Sequence, residues 1–543
     1  MIRDLHHLTI ADAGRAIAAR ELSPVTLVEA LLERISMLNP RIDAFVTLTA
    51  QRALDQARTA EAEITAGRYR GPLHGIPFGL KDVFSTAGVL TSGHSRLGIG
   101  NWPSEDATAV SRLYAAGGIL MGKLSTHEFA HGGPSFDLPW PPARNPWDTT
   151  CQPGGSSSGA GAAVAAGFVP GALGTDTGGS IRNPAALCGV VGLKPTYGRV
   201  SRRGVIVNSY SLDHVGPLAW TVEDAALLLQ AIAGGDPVDP TSSAQPVPNY
   251  RAALTGDIRG TRIGVVRHFW EDDLPANDEV RAAMEDAIGV LEKLGASISD
   301  TRMRPLHDYY AVKNILAEGE LFAVHAEDLR NRPGDFGADF FARVAPACLF
   351  TADDYVQASR ERRRMVAEMQ PLFEKFDVLV TAGTYGPAPK IDAHRTLSNW
   401  QKPSISTPFN VTGGPALAQC IGYTRGGMPL SMQIAGRPFD EAAVLRAADA
   451  YERATPWRAR RPALDPSAPP STNRISDETP IAVADVDGAT RAWVMHAVRG
   501  AGLALSERQF EAVCAAAPYL QEMAARVRCR RHWSEEPSSV FLM

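Results

Sequence analysis

The sequence is short of cysteine, of any surplus of charge and of long apolar runs. Six cysteines are scattered through 543 residues, at 151, 188, 348, 420, 514 and 529, with no CxxC pair and no metal-ligand spacing. That excludes a disulfide-stapled scaffold and a zinc ribbon, and fits free thiols in a reducing cytoplasm. The 54 basic and 59 acidic residues leave a formal net charge of −5 with the signs interspersed. Such a balance gives no electrostatic ground for a nucleic-acid partner or an anionic membrane. The densest basic runs, 360–364 and 526–531, fall in helical patterns and read as solvated faces. No window reaches the ~18 apolar residues that a membrane span needs. The opening residues, Met1-Ile2-Arg3-Asp4-Leu5-His6, lack the apolar centre of a signal peptide. The expectation is a cytoplasmic protein working without membrane or nucleic acid, and with no metal or cofactor.

What is present is a chain with 45% apolar residues, long enough to bury a large core and to form more than one unit. Ser23-Pro24 is a helix start, with serine as cap and proline in the first turn; Leu27, Leu31, Leu32 and Ile35 then share a face until Asn39-Pro40, where a stop is expected. A second helical pattern covers about 50–66. Apolar strand signals and helical periodicity then alternate to about residue 455, with strands at 262–266 and 377–381 and helices at about 107–116, 278–294 and 353–375. Alternation of this kind predicts an α/β fold in which helices cover both faces of a large mixed β-sheet. Prolines 466, 469, 470 and 480 mark a linker over 457–483, separating a main domain, 1–456, from a small helical unit, 484–543. In that unit Ser506 and Gln509 form a capping-box pattern, and Pro518 predicts a kink or two short helices. So small a unit is expected to dock on the main body or on another subunit.

The densest chemistry lies in one stretch. Gly154-Gly155-Ser156-Ser157-Ser158-Gly159 and Asp176-Thr177-Gly178-Gly179-Ser180 flank a run of small residues, 160–167. Paired glycines let backbone turn sharply and approach a ligand, and the small-residue run predicts a tightly packed helix rather than a flexible linker. Upstream, Leu80-Lys81-Asp82 ends a short apolar strand. A lysine buried in a strand is costly unless it is paired or neutral.

Three nucleophile schemes can be set against these residues. Gly155-Ser156-Ser157-Ser158-Gly159 matches G-x-S-x-G, but that elbow needs a strand directly before it, whereas 149–153 reads as a turn. His325 or His394 would then have to complete the triad without further support. Cys151 and Cys188 lie near the loops but have no basic neighbour in sequence, and small buried thiols suit them better. The third scheme is a serine activated by a lysine whose pKa burial has lowered.

On that third scheme the chain resembles the amidase signature family over about residues 5–460. The resemblance is carried by the two Gly-Ser loops, by Ser180-Ile181-Arg182, by the Lys81 strand and by 189–195, 215–218 and 433–438. Ser156 and Ser180 stand 24 residues apart and Lys81 lies 75 before Ser156, spacings that members share. The resemblance implies that Ser180 is the nucleophile, Ser156 a bridging serine on a cis peptide and Lys81 the base. It also implies that Thr177, Gly178 and Gly179 form an oxyanion hole with Ser180, and that Ser157, Asp176 and Arg182 support the loop. Asp82 is expected to be structural.

The same resemblance implies hydrolysis of an amide, anilide or carbamate C–N bond through an acyl-enzyme. Gly132, Gly133, Phe136 and Trp140 in one loop, with Tyr385 in another, are expected to line an apolar to aromatic pocket. A neutral small-molecule amide is therefore the expected substrate, and a homodimer is left open. Around both serines the chain is also similar to A subunits of glutamyl-tRNA amidotransferases, in which a glutamine commonly follows Ile-Arg; here Asn183 stands there. The helical unit resembles, more weakly, the small accessory subunits of amidotransferases and amidases, and its fusion favours a self-contained hydrolase. Its last residues, 535–541, are expected to lie along the main domain. A non-catalytic scaffold of this fold would lack Lys81, Ser156 or Ser180, and all three are present.

Overall fold

Runs such as Ile119–Leu124 and Val378–Ala382 show no apolar–polar alternation because both of their faces are covered: every residue of each is buried. The computed structural model describes residues 4–469 and 484–528. Its strands are β1 (Phe45–Leu48), β2 (Pro77–Lys81), β3 (Ile119–Leu124), β4 (Gly171–Asp176), β5 (Val191–Lys194), β6 (His214–Ala219), β7 (Arg262–Val265), β8 (Ser297–Asp300), β9 (Val378–Ala382), β10 (Ala416–Tyr423) and β11 (Pro429–Gly436). They form one sheet in the order β1-β3-β2-β4-β6-β5-β10-β11-β9-β7-β8. The stretches β3-β2-β4 and β9-β7-β8 run parallel, and the remaining pairs are antiparallel. This is the expected α/β architecture with a large mixed sheet. One apolar cluster runs from Ile10 to Val527 and takes in the sheet, the helices on it and the C-terminal helices.

Most helix ends fall where the side chains place them. Ser23 Oγ accepts from the Val25 and Thr26 amides at the head of the Pro24–Ile42 helix. That helix does not stop at Asn39-Pro40. It runs to Ile42 and closes on Asp43, whose φ of 52° turns its amide back to the Asn39 carbonyl at 2.7 Å. Pro40 removes a single donor in the last turn, too little to end a helix whose Leu38 and Ile42 are buried.

The C-terminal helices Gly488–Gly500 and Glu507–Val527 pack against the Leu306–Asn331 helix and its neighbours. The capping box is present, with Ser506 Oγ accepting from the Gln509 amide at 3.3 Å. The second helix is continuous through Pro518, contrary to the expected kink or break. Pro518 faces solvent, while Val513, Cys514, Ala517, Leu520 and Ala524 are buried on the opposite face. One missing hydrogen bond on the wet side is outweighed by that burial. Polar pairs fix the docking: Arg528 Nε meets Asp354 Oδ1 at 2.6 Å, and Gln401 Nε2 donates to Tyr519 Oη at 2.7 Å. Arg491 bridges to Glu511 at 2.7 Å and so ties the two C-terminal helices to each other. Residues 470–483 of the expected linker and residues 535–541 lie outside the described residues, as does Cys529; the other five cysteines form no disulfide.

Candidate active site

Because β2 and β4 are parallel neighbours, Lys81 at the end of one and Thr175-Asp176 at the end of the other emerge together at the carboxyl ends of these strands, where open α/β sheets carry their sites. Lys81 is fully buried. Its Nζ lies 2.8 Å from Ser156 Oγ and 2.8 Å from Thr175 Oγ1. Burial pushes the Lys81 ammonium down to about 7, against the raising pull of Asp213 and Asp176. Two other lysines are as deeply buried, and their partners differ in kind. Lys123 is 3.4 Å from the Asp82 carboxylate, and Lys194 donates to the Pro195 and Gly414 carbonyls. Lys81 alone of the three is hydrogen-bonded to hydroxyls only, groups that can donate to a neutral amine as well as accept from a charged one.

Ser156 follows a cis Gly155–Ser156 peptide. Its Oγ also lies 2.6 Å from the Ala130 carbonyl, which takes a second bond of 2.8 Å from Asn208 Nδ2. Ser157 is turned inward: its Oγ bonds the Thr175 carbonyl and amide, and its own amide donates to Ser180 O at 3.2 Å. The serine at the centre of G-x-S-x-G is therefore a clamp between the two loops, and the residues before it form no strand. Cys151 and Cys188 are buried thiols pushed upward by desolvation, a direction opposite to nucleophile activation.

The second loop hangs on Asp176. Its carboxylate accepts from the Gly179 amide at 2.8 Å and the Ile181 amide at 3.1 Å, and it faces Arg182 Nε and Nη2 at 3.0 and 2.9 Å. Burial by itself would raise the Asp176 carboxyl, but the Arg182 charge and its hydrogen bonds hold it far below the usual range. Arg182 goes on to the Ser406 carbonyl, Gln433 and Asn410, tying the loop to β11 and to the 406–410 segment. Thr177 Oγ1 donates to Asp213 at 2.5 Å. The Gly179 amide is thus committed to Asp176, whereas those of Gly178 and Ser180 have no acceptor among the described residues. Gly179 itself has a φ of 128°, which only glycine adopts readily, and a Cβ there would strike Ser406 at 2.8 Å.

Ser156 and the 177–180 loop open onto a cavity of about 460 Å³. Of the residues expected at a pocket, Gly132, Gly133 and Tyr385 line this cavity, and Phe136 and Trp140 do not. Trp140 instead packs edge-on to His94, which bonds its carbonyl at 3.0 Å. Nor is the wall apolar. Lys313, Arg343, Arg395 and Lys402 line it together with His131 and His394, and no aspartate or glutamate does so among the described residues. These side chains come from segments far apart in sequence, which is why no local motif disclosed them. Gly133 must be glycine, because a Cβ there would overlap the His394 ring at 2.3 Å.

The amidase family model matches residues 26–445, and the chain belongs to that family. The A subunit of the glutamyl-tRNA(Gln) amidotransferase from Chloroflexus aggregans is 42% identical, the match covering 85% of this chain and 99% of that protein. Among solved structures, the native peptide amidase of Stenotrophomonas maltophilia superposes with a TM-score of 0.73 at 32% identity, covering 84% of this chain and 98% of that one. A chain from an inhibitor-bound vestigial complex, described as revealing the evolutionary origins of an s-triazine catabolic enzyme, gives 0.77 at 34%, covering 82% and 98%. These relatives correct one expectation. Charge balance set nucleic acid aside, yet relatives at 42% identity are by name subunits of an enzyme of glutamyl-tRNA(Gln). Net charge measures the average surface, and a second protein in a complex can supply the contact to RNA, so that exclusion falls. No helix among the described residues is long and apolar enough to cross a membrane.

Proposed function

We propose that the chain cleaves a carboxamide C–N bond through an acyl-Ser180 intermediate, with Lys81 as base and Ser156 as the proton bridge. The observation that carries this reading is a buried lysine, brought to about 7 by desolvation, in contact with a serine hydroxyl at 2.8 Å beside the Ser180 loop. Neutral Lys81 accepts the Ser156 proton while Ser156 accepts that of Ser180, and Ser180 Oγ bonds to the amide carbon. The Gly178 and Ser180 amides meet the developing oxyanion. Collapse breaks the C–N bond as the relay returns the proton to the leaving nitrogen, and the acyl ester then passes to water or another nucleophile.

The names of the relatives support the role of amide-cleaving component of an amidotransferase better than that of a general amidohydrolase. One observation favours the second reading. The helices Gly488–Gly500 and Glu507–Val527 lie beyond the family match at 26–445; the second packs on the Leu306–Asn331 helix that brings Lys313 to the cavity, and the first packs behind it. The chain thus completes the backing of its own pocket. Ammonia release from primary amides by the purified chain, with Ser180→Ala as control, separates the two. The self-contained hydrolase turns over alone, whereas the amidotransferase component needs its partner and charged tRNA. Turnover undiminished in Ser180→Ala would overturn both.

A further inference from the structure

The cavity has a sign. Lys313 and Arg343 stand in its wall, both largely buried, and Arg395 and Lys402 join them nearer solvent. The carboxylates that answer the two deep cations sit behind the wall. Glu318 lies 3.3 Å from Lys313 Nζ and 3.0 Å from His131 Nε2, and Asp339 lies 3.0 Å from Arg343 Nε. Asp339 is also occupied by the Gly133 amide at 2.6 Å, His394 at 2.8 Å and Thr396 at 2.6 Å. Neither acid lines the cavity, so a ligand there meets cations and neutral dipoles. Lys313 is close to the reacting centre, since its Cε would stand 3.2 Å from a Cβ on Gly178.

We infer that the substrate is an anionic amide, carrying a carboxylate on its acyl side and no ammonium group. The inference rests on the amide-cleaving reading of Ser180. A carboxylate near Lys313 and Arg343 gains charge-assisted hydrogen bonds from two largely buried cations. An α-ammonium would need an acidic partner, and the lining supplies none among the described residues. A neutral amide would leave the wall's cations solvated but unused, and so bind without preference. The expectation of a neutral substrate, drawn from Phe136, Trp140 and Tyr385, is replaced for that reason: of the three only Tyr385 lines the cavity, and it stands there among cations.

The test measures kcat/KM for ammonia release by the full chain, in its complex if activity needs one. The probes are malonamate, succinamate, glutaramate and adipamate, their methyl esters as neutral counterparts, and asparagine and glutamine as zwitterions. The best monoanion should exceed the best neutral and the best zwitterionic amide by about 30-fold or more, the scale of a charge-assisted hydrogen bond. The preference should shrink with added salt. Lys313→Met should reduce the anion-to-neutral ratio about tenfold or more, and Lys313→Arg should restore most of it. The ratio is the readout because a variant that merely folds less well lowers both rates together. Equal rates for anion and neutral ester, or a preference for glutamine, would overturn the inference and leave the Ser180 reading intact. Failure of every amide, anionic or not, would instead count against that reading.

Discussion

At the scale of single residues, three side chains matter most. Ser180→Ala should lower kcat by roughly 10⁴–10⁶-fold, the loss seen when an acyl-transfer enzyme loses its nucleophile. Lys81→Met should do the same without lowering the melting temperature at pH 7, because a fully buried polar amine is replaced by an apolar side chain of similar length. A fall in melting temperature as large as that of a core truncation would contradict the neutral-lysine picture. The pH profile follows from the same group. Lys81 is depressed from 10.5 to about 7, and its active form is the deprotonated one. Activity should therefore rise about tenfold per pH unit below about 7 and level off above it. A profile flat from pH 5 to 9 would dismiss Lys81 as base. Arg182 acts differently, through structure. Arg182→Met strands Asp176 as a buried, unpaired carboxylate and should cost about 3–5 kcal/mol of stability, read by denaturant unfolding.

At the scale of elements, the sequence disclosed the strands and helices wherever they declared themselves locally. The caps at Ser23 and Ser506 and the helices Asp278–Lys293 and Ala352–Lys375 fall within a residue or so of expectation. It misjudged two prolines for one reason: Pro40 and Pro518 each remove one hydrogen bond, while the helices around them bury whole apolar faces. Pro518→Ala should therefore stabilise the Glu507–Val527 helix by about 1–3 kcal/mol, since the donor returns on an exposed face. Leu520→Ala, on the buried face, should cost about 2–4 kcal/mol. The site was legible in the same uneven way. Ser156, Ser180 and Lys81 sit in short glycine-rich or apolar motifs whose chemistry is local. Ala130 O and Thr175 bond Ser156 and Lys81, and Asn410 and Gln433 hold the Asp176–Arg182 pair of the Ser180 loop, through contacts that only the folded sheet creates.

At the scale of the whole molecule, the sheet gathers the carboxyl ends of β2 and β4 and their loops around the cavity, to which the Leu306–Asn331 helix, packed against Glu507–Val527, brings Lys313. Average composition hid the consequence: a chain of net charge −5 carries a cationic cavity, because its acids are placed behind the wall and on the outer surface. The same averaging removed nucleic acid from consideration before the relatives restored it. The central claim is that Ser180 becomes acylated. The direct measurement is intact-mass and peptide mass spectrometry of the purified chain quenched during turnover of a slow anilide. One acyl adduct is predicted, on the peptide holding Ser180, absent in both Ser180→Ala and Lys81→Met. An adduct on Cys151, Ser157 or any other residue, or ammonia release from Ser180→Ala at the rate of the unaltered chain, would contradict it.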